Sequence, residues 1–201
     1  MKKSKRYLEI KSKIEDRAYS LNDSVNLIKD ISSAKFDESV EIHLMTNADP
    51  KNADEQLRTV ADLPHGTGKK VRVLVFAEGD AAVSAKEAGA DYISDDEIVK
   101  NIEKGWQDFD VAIATPDQMS KIGKLGKYLG RKGLMPNPKT GTVVQPQNIS
   151  QAISASKKGR TEIKLDNASV IHFNVGKSSF TPDQLIENTK SVIKTIFDSK
   201  P

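Results

Sequence analysis

Two apolar runs in the middle of the chain restrict its fold more than any other feature. Val71-Arg72-Val73-Leu74-Val75-Phe76-Ala77 is almost unbroken, and Val111-Ala112-Ile113-Ala114 is wholly apolar. A strand without a polar face has to be covered on both sides, as in a parallel sheet between two helical layers. The surrounding sequence supplies the helices. They are an Ala-rich stretch over 80–88, a segment over 95–105 with Ile98, Val99 and Ile102 at helical spacing, and a start at Pro116. Asp91-Tyr92-Ile93 reads as a short third strand, and another helix is expected over 148–157. The order strand, helix, strand, helix, strand, helix predicts a doubly wound sheet.

The two end thirds follow a different rule. Val40, Ile42 and Leu44 alternate with Glu41, His43 and Met45, the pattern of a half-buried strand. Residues 57–63 form a weaker strand candidate, stopped by Pro64 and Gly66. Ile163 and Leu165 alternate with charged residues, and Ser169 to Val175 reads as a second strand. Helices are expected over 5–15, after Ser20, and after Thr181-Pro182-Asp183-Gln184, which combines an N-cap, a first-turn Pro and a capping-box Gln. The fold class is therefore α/β with two domains. An antiparallel α+β domain is built from both termini, 1–64 plus 159–201. A Rossmann-like parallel α/β domain, 65–158, is inserted into it. The crossings fall near Pro64–Lys69 and Lys157–Arg160, where two adjacent strands would make a hinge.

Charge is segregated along the chain. The 31 basic and 28 acidic residues nearly cancel, yet residues 1–15 carry +4 and residues 76–117 carry −8. From Gln118 to Gln145 there are six basic residues and no acidic one, and Lys157-Lys158-Gly159-Arg160 is a further basic knot. Such segregation suits a polyanionic partner met by some surfaces and avoided by others. Several other functions find little support. There is no Cys, and His43, His65 and His172 are scattered, so a metal centre is not expected. Gly66-Thr67-Gly68-Lys69-Lys70 and Gly176-Lys177-Ser178 both lack the earlier Gly of a phosphate-binding P-loop. No Gly-x-Gly-x-x-Gly follows the strand at 71–77, and no catalytic triad order stands out. The rival reading, a nucleotide-binding enzyme using the parallel domain, therefore has little to rest on. No apolar run reaches the ~18–20 residues of a membrane span, and a soluble protein of a reducing compartment is expected.

Four features bear on polyanion binding. Phe36, beside Lys35, is either a core aromatic closing a sheet end or a platform for an RNA base. His172 lies between Ile171 and Phe173 and so belongs on a polar strand face. Gly176, Lys177, Ser178 and Ser179 could present backbone N–H groups and hydroxyls to a phosphate, or form an ordinary turn. The loop Leu129-Gly130-Arg131-Lys132-Gly133-Leu134-Met135-Pro136-Asn137-Pro138-Lys139-Thr140-Gly141-Thr142 has a shape fixed by Gly and Pro, with Arg131, Lys132 and Lys139 free for phosphates.

That loop resembles the signature of the large-subunit ribosomal protein L-one family, bacterial type. Ala34-Lys35-Phe36-Asp37-Glu38-Ser39-Val40-Glu41, Leu63-Pro64-His65-Gly66, Glu87-Ala88-Gly89-Ala90-Asp91-Tyr92, Phe109-Asp110, Ala114-Thr115-Pro116-Asp117 and Val175-Gly176-Lys177-Ser178-Ser179-Phe180 resemble the same family in the same order. The resemblance implies a non-enzymatic constituent of the large ribosomal subunit. It would bind large-subunit rRNA, form the mobile stalk at the exit site, and assist release of deacylated tRNA. Repression of its own messenger is a further implied activity. The implied rRNA-binding residues are Lys5, Arg6, Lys35, Phe36, Ser39, Glu41, His172, Gly176, Lys177 and Ser179, with Arg131, Lys132 and Lys139 as a secondary basic loop. No cofactor, metal or membrane is implied, and the protein would be a monomer within a cytoplasmic or organellar ribosome. Bacterial members usually continue to a strand bearing Thr-Met-Gly, whereas this sequence stops at Ser199-Lys200-Pro201. Loss of that strand is expected to thin the sheet and weaken RNA binding.

Overall fold

The computed structural model describes residues 3–200; Met1 and Lys2 of the basic N-terminal cluster, and Pro201, lie outside them. In chain order the main elements are α1 (Lys5–Ser12), α2 (Leu21–Ile31), β1 (Ser39–Met45), β2 (Arg58–Asp62), β3 (Val73–Phe76), α3 (Asp80–Glu87), β4 (Tyr92–Ile93), α4 (Asp96–Glu103) and β5 (Val111–Ala114). They continue with α5 (Met119–Gly123), α6 (Gly126–Leu129), α7 (Ile149–Lys157), β6 (Arg160–Lys164), β7 (Val170–Lys177) and α8 (Pro182–Ser199). Short 3-10 turns punctuate 116–148.

The apolar middle strands form a parallel sheet in the order β4-β3-β5. All four residues of β3 are buried, and its alternation feeds two cores. Leu74 and Phe76 pack with Ile102, Ile122, Leu125 and Leu129 from the helices on one side. Val73 and Val75 pack with Ala85, Ile149, Ala152 and Ile153 on the other. Asp95 caps α4, its carboxylate accepting the Ile98 N–H at 2.7 Å. The loop after α6 is pinned internally. Asn137 N–H donates to Thr142 Oγ1 at 2.8 Å, and the chain then returns alongside β5 through a parallel bridge between Ala114 and Val143.

The two ends of the chain build a third core around Val25, Val40, Ile163, Ile171, Phe173, Val175, Leu185 and Val192. Its strands are antiparallel, β1 with β7 and β2 with β6. They are two ribbons joined by a single bridge, Leu165 to Ile171, rather than one continuous sheet. Ser20 and Thr181 cap α2 and α8, and the capping box at Thr181 and Gln184 is complete. The basic helix expected over 5–15 stops at Ser12 and buries none of its residues, for want of a packing partner.

The chain passes between the terminal strands and the parallel sheet at two adjacent places. Asp62 pairs with Arg160, and Leu63 N–H donates to the Gly159 carbonyl. A Cβ on Gly159, whose φ is +108°, would lie 2.4 Å from Gly66 Cα, so two backbones meet where no side chain fits. Buried Asn188 of α8 closes this point. It accepts from His65 N–H and donates to the carbonyls of Gly66 and Val175.

Candidate nucleic-acid interface

Alternation along β1 and β7 turns one row of side chains inward and the other outward. Val40 is buried on the inner face together with Ile171, Phe173 and Val175. On the outer face the register sets Ser39 opposite Lys177, Glu41 opposite Asn174, His43 opposite His172, and Met45 opposite Val170. A bulge between Val40 and Glu41 keeps both halves of β1 in phase with β7. Lys177 Nζ donates to Ser39 Oγ at 2.8 Å. Four residues implied by the resemblance, Ser39, Glu41, His172 and Lys177, thus share one outward ladder.

Phe36 stands at the end of this ladder and is 72% exposed, with Lys35 exposed beside it. The core-aromatic reading of Phe36 is overturned, since the residue stays largely exposed among the described residues. Two carboxylates fix the loop that carries it. Asp37 accepts from Ser178 Oγ at 3.0 Å, Ser179 N–H at 3.0 Å and Ser179 Oγ at 2.8 Å. The Ser179 hydroxyl, then its backbone N–H and the Ser178 hydroxyl, hold the Asp37 carboxyl below the usual carboxylate range. Glu38 accepts from Ser32 Oγ, the Ala34 N–H and Arg6, and these bonds, that from Ser32 foremost, likewise hold its carboxyl low. Arg6 pairs with Glu38 at 2.8 Å, which ties α1 to the same loop and neutralises its charge. Lys29 reaches across to the carbonyls of Ser178 and Phe180.

The phosphate cradle imagined at the end of β7 is filled from within. Gly176 N–H donates to Asn174 Oδ1, Ser178 N–H to the Glu38 carbonyl, and Ser179 to Asp37 through both its N–H and its hydroxyl. Gly176 is there for packing, because a Cβ would fall 2.7 Å from the Phe180 ring. Gly176 and Ser179 therefore shape the strand end from behind. Among the described residues, Lys5 and Lys35 are exposed cations near this end of the ladder, and Lys177 is bonded only to the neutral Ser39 hydroxyl.

At the far end of the ladder, His43 Nδ1 and His172 Nδ1 lie 2.6 Å apart, and His172 Nε2 lies 3.2 Å from Asp166 Oδ2. Asp37, Glu38, His43 and Asn174 were not among the residues singled out from the sequence. Period-two spacing from Ser39 and Glu41 would have found His43, but Asn174 depends on the bulge, and the Asp37 contacts join loops 141 and 142 residues apart.

The secondary basic residues Arg131, Lys132 and Lys139 are exposed on the loop after α6, remote in sequence from this ladder. In a doubly wound sheet, a nucleotide would sit at the C-terminal ends of the strands, where their order reverses. There the structure has a cavity of about 50 Å³ lined by Glu78, Asp95 and Asp96, with Lys121 paired to Glu78. Ligand pockets run to roughly 300–1,000 Å³, so this recess is far smaller than a nucleotide site, and its carboxylates have the wrong sign for phosphates. Among the described residues no group of three or more His, Asp or Glu is placed to hold a metal ion, and no helix is long and apolar enough to cross a membrane.

The sequence profile described as "Ribosomal protein L1p/L10e family" matches residues 28–201. A protein of Dehalococcoides mccartyi named "Large ribosomal subunit protein uL1" is 55% identical over 187 residues, 93% of this chain and 79% of its own length. Proteins of the same name from Fervidobacterium nodosum and Thermomicrobium roseum are 52% and 47% identical across the whole of this chain, and it spans 85% and 84% of them.

Proposed function

The chain belongs to the ribosomal protein L1p/L10e family, and from this we propose that it is a structural, non-enzymatic constituent of the large ribosomal subunit that binds large-subunit rRNA through the outer face of β1 and β7. The observation that carries the reading is Phe36, an aromatic ring left 72% exposed on a loop that two carboxylates and Arg6 hold in place. An uncovered ring on a fixed loop costs solvation and gains nothing within the protein, whereas a stacked RNA base would cover it. Lys35, next to Phe36 in sequence, and Lys177, bonded to Ser39, offer charge for phosphate contact, and Ser39, Glu41 and His172 supply hydrogen-bonding groups along the strand. The two parts of the chain, 1–64 with 159–201 and 65–158, act as separate bodies joined at Gly66 and Gly159. The terminal part holds rRNA. The inserted part, with Arg131, Lys132 and Lys139, is the arm that meets exit-site tRNA as the stalk moves and assists its release. A messenger segment that imitates the rRNA site would be bound by the same face, repressing its translation.

Co-sedimentation with large subunits lacking this protein tests the proposal. Binding should survive moderate salt. Affinity for an rRNA helical junction should fall with salt at a log–log slope of roughly −2 to −3, the value for Lys5, Lys35 and Lys177. A protein that stays in the supernatant at all salt concentrations, or a saturable thermal shift with nucleotides instead, would reject it.

A further inference from the structure

On the reading that this face meets rRNA, we infer that His43 is a further RNA-contacting residue and that it acts through a single proton held jointly with His172. The geometry fixes the tautomers of the neutral pair. One oxygen of Asp166 accepts the backbone N–H groups of Ala168 and Val170, both at 2.8 Å. The other lies 3.2 Å from His172 Nε2, so that nitrogen carries hydrogen. His172 Nδ1 then points a lone pair at His43 Nδ1, 2.6 Å away, and His43 Nδ1 supplies the hydrogen between them. His43 Nε2 is left bare, and among the described residues it has no hydrogen-bond partner. The bond from Val170 N–H, ahead of those from Ala168 and His172, holds the Asp166 carboxyl below the usual carboxylate range, so it remains an acceptor throughout.

Adding one proton places it on His43 Nε2. The pair then shows an N–H outward and carries one positive charge, shared across the 2.6 Å contact. A second proton would set two N–H groups against each other and is excluded while the contact lasts. The charged groups around the pair are Glu41, one step along the outer face of β1, Asp166 in the turn before β7, and Lys164 on β6, placed beside His172 by the Leu165–Ile171 bridge. Among the described residues the core-facing side offers no charged group, because Ile171 and Phe173 are buried there among apolar residues. A phosphate oxygen accepts from the protonated pair and is repelled by the bare nitrogen, so RNA binding takes up one proton.

Two measurements on the full chain, both in EDTA, test this. In a histidine NMR titration of the free protein, signals of His43 and His172 should move together with one midpoint. Separate, complete titrations of the two rings would overturn the shared proton. Affinity for an rRNA helical junction should tighten as pH falls from 8 to 5.5, by at most about tenfold per unit, the limit for one proton. The H43Q/H172Q double variant should bind with a flat profile over that range. A double variant that keeps the wild-type slope would overturn the role in RNA contact. Wild-type protein that binds no RNA at any pH would refute the proposed function instead, while the NMR titration would still decide whether the proton is shared.

Discussion

The chain carries two surfaces suited to a polyanion, and they are built in opposite ways. The ladder on β1 and β7 gathers residues from α1, the loop before β1, the two strands and the turn before α8. Its cations are few, and its carboxylates Asp37 and Glu38 are held by hydrogen bonds rather than turned toward a ligand. The stretch from Lys121 to Lys139 is continuous in sequence, rich in cations, free of acidic residues, and has no exposed aromatic ring. On the proposed reading the first holds a defined RNA shape, because its parts are fixed by the whole fold. The second offers charge, which attracts without selecting.

The harshest way to break this contrast is at the crossing. Gly159→Ala forces a Cβ into Gly66 at a positive φ and should destabilise the chain by roughly 3 kcal/mol, read as a lower urea midpoint, with loss of RNA binding by the ladder. An unchanged midpoint would show that the ladder does not depend on this junction. Phe36→Ala should weaken rRNA binding by about 1–3 kcal/mol and leave the melting temperature where it is, since the ring covers nothing. Asp37→Asn should cost several-fold in affinity by loosening the loop under Phe36, with circular dichroism unaltered. Because the Asp37 carboxyl sits below its ordinary value, its contribution is present above the ordinary carboxylate value and is lost only as pH falls through the depressed one. That window lies well below the imidazole range. The smallest effect belongs to the other surface. Replacing Arg131, Lys132 and Lys139 together by Ala should change stability by less than about 0.5 kcal/mol and leave rRNA affinity within about twofold. A large loss of rRNA affinity there would reverse the assignment of the two surfaces.

The same contrast explains what the sequence discloses. Periodicity gave the parallel strands, because an apolar run such as Val73–Phe76 has one physical solution, burial on both faces. The capped starts at Ser20 and Thr181 were legible because capping is local. The basic loop was visible as a string of letters. The ladder was visible only in halves. Alternation assigns His43 and His172 to polar faces, but no local rule pairs strands 129 residues apart, so their contact could not be read. Nor could the filling of the strand-end N–H groups by Asp37 and Asn174, which depends on a bulge and on two loops meeting. Phe36 was ambiguous for a related reason. Whether an aromatic ring closes a core or stands free depends on what folds over it, and that is a property of the whole chain.

The distance along the chain between β1 and β7 also sets an order of assembly. Everything that covers β3 has been synthesised by Lys157, so the parallel sheet can close while the ribosome is still adding the rest. β1 has to wait for a partner that begins only at Val170, and for α8 behind it. During that interval its apolar edge is uncovered. The proposed RNA face is therefore completed only after the parallel sheet, and a newborn chain acquires it only once β7 and α8 have followed β1 out.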